Sequence, residues 1–80
     1  MNDQTTRGSL GVRRVRESFN PSGDELVDKI KRYTADLIDL CADSYVKSDD
    51  PEEKRLWSIA LDAYEEAAMW AVKGATTERK

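Results

Sequence analysis

The sequence contains no histidine and a single cysteine, Cys41, and these two scarcities exclude much of enzyme chemistry. Histidine is the commonest general base and metal ligand, so its absence removes both roles. Cys41 has no evident base beside it, and Glu65 with Glu66 offers too few ligands for a metal ion. A lone cysteine cannot close an internal disulfide, which favours a reducing compartment. We therefore expect a protein that is not an enzyme and that needs neither a cofactor nor a metal.

The chain also lacks an apolar run long enough to span a membrane or to form the core of a signal peptide. We therefore expect a soluble, cytoplasmic protein without membrane contact. Eighty residues make at most one domain with a small core. The net charge of -3 argues against DNA or RNA binding, which needs a basic face. A small anionic ligand held by a few cations remains compatible with this composition.

Positive charge is concentrated near the N-terminus. Residues 1–20 carry 4 basic and 2 acidic residues, a net of +2, whereas residues 21–80 carry 9 basic and 14 acidic residues, a net of -5. The basic part includes a cluster of Arg13, Arg14 and Arg16. This cluster could hold RNA weakly, pair with acids of a neighbouring subunit, or close over an anion.

The first part of the chain has the composition of a loose arm. Residues 1–11 are polar and contain Gly8 and Gly11, which is typical of a flexible segment. Residues 12–19 allow either a short helical turn or a short extended segment. We predict a flexible basic arm over 1–18, a helical hairpin domain over 19–76 and a tail over 77–80.

A capping box predicts the start of the first long helix. Ser22 and Glu25 have the S-x-x-E spacing in which each side chain accepts the other's amide. The helix is predicted from about Gly23 to about Val46 because apolar residues recur every three or four positions. They form two adjoining stripes: Leu26, Ile30, Tyr33, Leu37 and Leu40, and Val27, Ile30, Thr34, Ile38 and Cys41.

A second capping box predicts the next helix. Asp50 is the expected N-cap, Pro51 occupies the first helical position, where its missing amide is harmless, and Glu53 completes the box. The helix is predicted to continue to about Lys73, with Gly74 as its C-cap. Two helices joined by a short turn predict an all-α, antiparallel helical hairpin.

Residues 67–72 are apolar without interruption, so this part of the second helix needs burial on every side. One partner helix covers only one face. We therefore predict a homo-oligomer in which Trp70 or Met69, and also Trp57 or Tyr64, contact another subunit. The alternative is a monomer in which the N-terminal arm folds back over the second face.

Basic and aromatic side chains are the remaining candidates for ligand binding. Arginine clamps phosphate with a bidentate fork, and aromatic rings stack on bases. Taken alone, however, Lys29, Lys31 and Arg32 are better explained as a solvated face paired with acids such as Asp28. Helical spacing likewise favours a core or interface position for three aromatics: Trp57, Tyr64 and Trp70.

Over roughly residues 16–76 the chain resembles the helical-hairpin domain of bacteriophage nucleotide sponges, the anti-CBASS and anti-Thoeris proteins. The resemblance is closest to the anti-CBASS branch. Three motifs carry it in order: Phe19-Asn20-Pro21-Ser22-Gly23, then a helix with Ile30-Lys31 and Leu37-Ile38, then Ala60-Leu61-x-x-x-Glu65-Glu66-Ala67-x-Met69-Trp70-Ala71-x-Lys73.

The resemblance implies a function that residue chemistry alone does not reach. Members of the family are compact helical oligomers, commonly hexamers, with ligand pockets at subunit contacts. They hold cyclic oligonucleotide or cyclic ADP-ribose-type messengers without degrading them, in the cytoplasm of the infected bacterium. The anti-CBASS branch binds cyclic dinucleotides and, in separate pockets, cyclic trinucleotides. The resemblance thus implies a sponge that blocks CBASS immunity.

Nine residues are the resulting candidates for ligand contacts. We expect one aromatic ring to stack on a base, four cations to neutralise phosphates and three polar side chains to hydrogen bond. They are Phe19 or Tyr33 for stacking, Arg16, Lys29, Arg32 and Lys73 for phosphates, and Asn20, Ser22 and Thr76 for hydrogen bonds.

One position departs from the family. The chain has Asp62-Ala63-Tyr64 where members of the family that it resembles carry Thr-x-Leu. If the threonine hydroxyl contacts the ligand in that family, Asp62 would repel a phosphate instead, which argues against one of the two ligand classes. Three alternatives stay open: an oligomeric adaptor that binds a host protein, a sponge for cyclic ADP-ribose-type signals, and a weak nucleic-acid binder that uses the arginine arm.

Overall fold

A computed structural model describes residues 9–16 and 23–77, which form three α-helices and no strand within these ranges. Helix α1 spans Leu10–Val15, α2 spans Glu25–Lys47 and α3 spans Pro51–Thr76. Helices α2 and α3 pack along each other as a hairpin, and α1 packs mainly on α2. The predicted all-α helical hairpin is therefore confirmed, and its assembly into an oligomer stays a prediction.

Helix α2 begins two residues later than the sequence predicts. Its N-cap is Asp24, whose carboxylate accepts the Leu26 amide at 2.8 Å. Gly23 lies in the left-handed region with φ of 66°, which a right-handed helix cannot include. The predicted cap Ser22 lies outside the described residues, and Asp24 replaces it as the residue that caps the helix.

The turn between α2 and α3 is held by its own polar side chains. Asp50 accepts the Glu53 amide at 3.0 Å, so this half of the predicted capping box is confirmed. The other half is wrong, because the Asp50 amide donates to the Ser48 hydroxyl at 3.1 Å instead of to Glu53. The Glu53 carboxylate accepts the Trp57 indole N–H and the Ser48 hydroxyl, both at 3.0 Å, and these bonds lower the pKa of Glu53.

Helix α3 continues past Gly74, which was predicted to end it, and its C-cap is Thr77. Gly74 keeps a helical backbone because two hydroxyl groups satisfy carbonyl oxygens of the last turn. Thr76 donates to the Val72 carbonyl at 2.9 Å and Thr77 to the Lys73 carbonyl at 2.6 Å. The end of this helix therefore does not depend on a left-handed glycine.

Among the described residues, one core cluster receives side chains from all three helices. Its buried members are small or medium-sized, which lets the helices approach closely. Burial raises the pKa of the Cys41 thiol, which behaves here as a small apolar side chain. The cluster consists of Val15 from α1, Ala35, Ile38 and Cys41 from α2, and Leu61 and Ala68 from α3.

The two predicted apolar stripes of α2 differ in burial. The stripe that contains Val27, Ile38 and Cys41 is buried. The other stripe is exposed at Leu26, Tyr33, Leu37 and Leu40, because α1 and α3 cover only one side of the helix. Within residues 9–16 and 23–77, one of the two stripes is thus left uncovered.

The apolar segment of α3 is likewise covered on one side only. Met69 and Trp70 are 64% and 63% exposed, as expected of residues predicted to contact another subunit. Trp57 and Tyr64, for which the same contact was predicted, are instead half-buried against the core of their own chain. The subunit contact itself stays a prediction.

Part of the predicted N-terminal arm is a folded helix. Of the two conformations that the sequence allows for residues 12–19, the helix is observed as far as Val15, whose side chain is buried in the core. Val12 packs against the same cluster. Residues 1–8 and Phe19 lie outside the described ranges, and the domain boundary at residue 18 stays a prediction.

Candidate functional site

A cleft of about 350 Å³ lies where the C-terminal end of α1 meets α2 and α3. This volume is at the lower end of the range of about 300–1,000 Å³ that is usual for small-molecule sites. Four charged side chains line its polar part: Arg14, Arg16, Lys31 and Glu65. Four apolar side chains form its wall: Val15, Ala68, Met69 and Val72.

Lys31 is the buried cation of the cleft. Only 6% of the residue is exposed, and its ammonium group donates to the carbonyl oxygen of Arg16 at 2.9 Å. Burial lowers the pKa of Lys31, and the positive charge of Arg16 lowers it further. The interpretation of Lys31 as part of a solvated face is therefore wrong, because α1 packs over this side of α2.

Arg14 is held by two carboxylates of α3. Its guanidinium donates to Asp62 at 2.8 Å and to Glu65 at 3.1 Å. The hydrogen bond to Asp62 raises the pKa of Arg14, and the charge of Glu65 adds to this effect. Of the roles open to the arginine cluster, Arg14 pairs with acids, but they belong to its own chain. Arg14 therefore neutralises the charge of Asp62 within the same chain. An anionic ligand that reaches Arg14 must compete with the carboxylates of Asp62 and Glu65.

Arg16 terminates α1 in a left-handed conformation, with φ of 55° and ψ of 56°. Its amide donates to the Arg13 carbonyl at 3.2 Å, which closes the last turn of the helix. Its own carbonyl accepts the Lys31 ammonium group. Lys31 thereby holds the backbone of Arg16, an exposed residue that lines the cleft.

The structure brings one of the nine predicted ligand-binding residues, Arg16, to this cleft. Three of the others lie outside the described ranges: Phe19, Asn20 and Ser22. The remaining five are exposed and do not line the cleft: Lys29, Arg32 and Tyr33 on α2, and Lys73 and Thr76 on α3. Ligand contacts by all nine residues, Arg16 included, stay predictions.

Neither Arg14 nor Lys31 was among the nine residues predicted from the sequence to contact a ligand. A signal for Lys31 was present, because it follows Val27 and precedes Ala35 by four residues and so shares their buried face. For Arg14 the only signal was its place in the arginine cluster. Its partners Asp62 and Glu65 lie 48 and 51 residues away, so no local pattern identifies them.

The cleft has the chemistry of a binding site for an anion with an apolar part. Its cations can donate to phosphate oxygens, and its wall can pack on a flat group. Among the residues that the structure describes, no cluster of carboxylates and cysteine could hold a metal ion. Within the same part of the chain, no helix is apolar over a length that would cross a membrane.

Comparison with known proteins gives one match. A family model described as Acb2/Tad1, hairpin domain, matches residues 12–76. The matched segment includes most of α1 and the whole of α2 and α3, and therefore every residue that lines the cleft. No curated protein and no solved structure matched the chain.

Proposed function

The chain belongs to the Acb2/Tad1 family, the anti-CBASS and anti-Thoeris sponges of phages, and we propose that it sequesters cyclic dinucleotides. Members of this family are cyclic-nucleotide sponges, which bind their ligands rather than degrade them. Cyclic trinucleotides are the second proposed ligand class. Sequestration in the cytoplasm of the infected host would block CBASS signalling. The observation that carries the proposal is the family match over 12–76.

The chemistry of the cleft supports this proposal. A cyclic dinucleotide presents two phosphodiester anions and two flat bases. Arg16 and Lys31 lie together on the cleft and can both donate to one phosphate. Met69 lines the same cleft with 64% of its surface exposed, so its flexible side chain is available to pack on a base.

The other eight predicted contacts form a second part of the proposal. The five that the structure describes, on α2 and α3, are exposed. We propose that all eight reach a ligand at the contact between subunits of a homo-oligomer, which we propose to be a hexamer. The uncovered apolar side chains Tyr33, Leu37 and Leu40 support such an assembly, because they leave an apolar face in water. These contacts are Phe19, Asn20, Ser22, Lys29, Arg32, Tyr33, Lys73 and Thr76.

The first experiment measures the melting temperature of the purified protein with cyclic di-AMP, cyclic GMP–AMP, cyclic tri-AMP and cyclic ADP-ribose. Linear pApA and ATP serve as controls. A ligand at a hundredfold excess over its Kd stabilises the folded state by about 2.7 kcal/mol. Each kcal/mol shifts the melting temperature of a domain this small by about 4–8 °C. We expect such a rise with a cyclic dinucleotide, and intact ligand recovered by chromatography.

Other outcomes decide between the alternatives. A rise with cyclic ADP-ribose alone would assign the chain to that messenger class. Hydrolysed ligand would mean an enzyme. Unchanged melting with every cyclic nucleotide would reject the sponge and leave an adaptor for a host protein.

Variants then test the phosphate contacts. Hydrogen bonds to charged groups contribute about 1.5–3 kcal/mol, so Arg16→Ala, Lys29→Ala and Arg32→Ala should each weaken binding by about tenfold or more. Arg55→Ala is the matched control, because Arg55 pairs with Glu52 at 2.7 Å on the first turns of α3, away from the cleft. Unaltered affinity in all three test variants would contradict the assignment.

A further inference from the structure

Helix α1 lies on a row of three residues of α2. Lys31, Ala35 and Asp39 follow one another at intervals of four and therefore share one face of the helix. The Asp39 carboxylate accepts the Gly11 amide at 2.7 Å, near the start of α1. At the other end of α1, the Lys31 ammonium group donates to the Arg16 carbonyl at 2.9 Å. A side chain of this row thus holds each end of α1.

The middle of the row is a close backbone contact. A Cβ atom on Gly11 would overlap the carbonyl oxygen of Ala35 and come within 2.8 Å of the Asp39 carboxylate. Ala35 is almost fully buried under α1. Only glycine therefore brings the first turn of α1 near enough for its amide to reach Asp39.

Helix α1 depends on these contacts because it has only six residues. An isolated helix shorter than about 12–15 residues is marginal in water. Within α1 the Ser9 hydroxyl accepts the Val12 amide at 3.1 Å, and beyond that local cap the helix is fixed by α2 and α3. The position of the two arginines on the cleft is therefore set by how α1 is docked.

We propose that Asp39, outside the cleft, is a positioning residue for ligand binding: its bond to the Gly11 amide docks α1 so that Arg14 and Arg16 stand at the cleft. This inference rests on the proposed function. Asp39 does not line the cleft and acts through α1 alone. It predicts that ligand affinity can be changed at Asp39 without altering any group that touches the ligand.

The test compares Asp39→Ala with Asp39→Asn, which keeps a carbonyl oxygen as acceptor. Asp36→Ala is the matched control, since Asp36 is an exposed carboxylate of the same helix outside the row. Two quantities are measured: amide hydrogen exchange at Gly11 and Arg16, and the Kd for cyclic di-AMP. If α1 is docked in one molecule in ten of Asp39→Ala, the apparent Kd rises about tenfold. We expect Asp39→Ala to show this rise in Kd together with faster amide exchange at Gly11 and Arg16. We expect Asp39→Asn to restore most of the affinity and most of the protection from exchange.

A double-mutant cycle separates positioning from general destabilisation. In a chain that already carries Arg14→Ala and Arg16→Ala, the Asp39→Ala change should leave the Kd unchanged, because the arginines it positions are gone. A further weakening of the same size would overturn the inference, as would normal binding or normal exchange in Asp39→Ala. Failure of the wild-type chain to bind any cyclic nucleotide would instead overturn the proposed function.

Discussion

The turn between α2 and α3 and the short helix α1 are both held by polar side chains, but their hydrogen bonds span very different distances along the sequence. At the turn, the hydrogen bonds of Ser48, Asp50 and Glu53 join residues two to five positions apart. At α1, the bonds to Lys31 and Asp39 span 15 and 28 positions, and those from Arg14 span 48 and 51. The turn can form from its own sequence, whereas α1 acquires its place only once the hairpin exists.

The hairpin and α1 should therefore contribute differently to the stability of the fold and to ligand binding. The hairpin contributes five of the six buried core residues, and α1 contributes Val15. Segments with few buried contacts open locally while the rest stays folded. Damage at the turn should therefore lower the stability of the whole chain, and damage to the docking of α1 should act mainly on the cleft.

Replacing glycine by alanine at two positions, Gly11 and Gly74, separates the docking of α1 from the stability of the hairpin. Gly11→Ala should detach α1, because the new methyl group overlaps the Ala35 carbonyl. Overpacking of this kind costs about 1–3 kcal/mol, and this cost opposes the docked position of α1 rather than the folding of the hairpin. Gly74→Ala meets no atom within 4 Å and lies inside α3, so it should stabilise by about 0.4–1 kcal/mol. Denaturant unfolding measures both, and amide exchange at Arg16 reports the release of α1.

The Gly74 variant is the control for the loss of a glycine as such. Equal effects of the two substitutions on stability would mean that α1 does not lie against Ala35. A stable Gly11→Ala chain with slow exchange at Arg16 would contradict the close contact directly.

The same distinction explains what the sequence could predict. The Asp50 cap, Pro51 and the two helices follow from residues near one another, and these predictions were confirmed. Gly74 was misassigned as a cap because the hydroxyls of Thr76 and Thr77 extend the helix beyond it. Such side-chain bonds are weaker local signals than a glycine.

Most of the cleft could not be predicted, because its members meet only through tertiary packing. The spacing of Lys31 to Val27 and Ala35 indicates a shared face, but the helix that covers this face and the Arg16 carbonyl that accepts its ammonium group come together only through tertiary packing. Arg14 finds its two acids on a helix that begins 37 positions later, at Pro51. Arg16 was among the candidate phosphate contacts that followed the family resemblance, and it lines the cleft, while its contact with a ligand stays a prediction.

A second prediction addresses the turn. Asp50→Ala removes the acceptor of the Glu53 amide, and loss of an N-cap costs about 1 kcal/mol. Asp50→Asn keeps an acceptor and should recover most of this loss. Denaturant unfolding should show the destabilisation, while the Kd for cyclic di-AMP at a temperature where the chain is folded should be unchanged. Weakened binding without weakened stability would contradict the separation of the two regions.

The smallest expected effect concerns the tie between α1 and α3. Asp62→Asn removes one of the two carboxylates that hold Arg14 and leaves Glu65 in place. The Asp62 side chain is 72% exposed, and exposed ion pairs contribute about 0.2–1 kcal/mol, so stability should hardly change. In the wild-type chain an anionic ligand must replace the Arg14–Asp62 ion pair, and in Asp62→Asn this cost of at most about 1 kcal/mol is gone. Affinity for cyclic di-AMP should therefore rise, by at most about fivefold.

The control for this prediction is Asp36→Asn, which changes the net charge equally from an exposed position outside the cleft. Long-range charge acts alike in both variants and is screened at physiological salt beyond about 8 Å. A gain confined to Asp62→Asn therefore means that Arg14 is released locally. An equal gain in both would mean that only net charge matters, and that Asp62 does not restrain Arg14. Weaker binding in Asp62→Asn would show instead that this tie helps to dock α1, as the bond between Asp39 and Gly11 does.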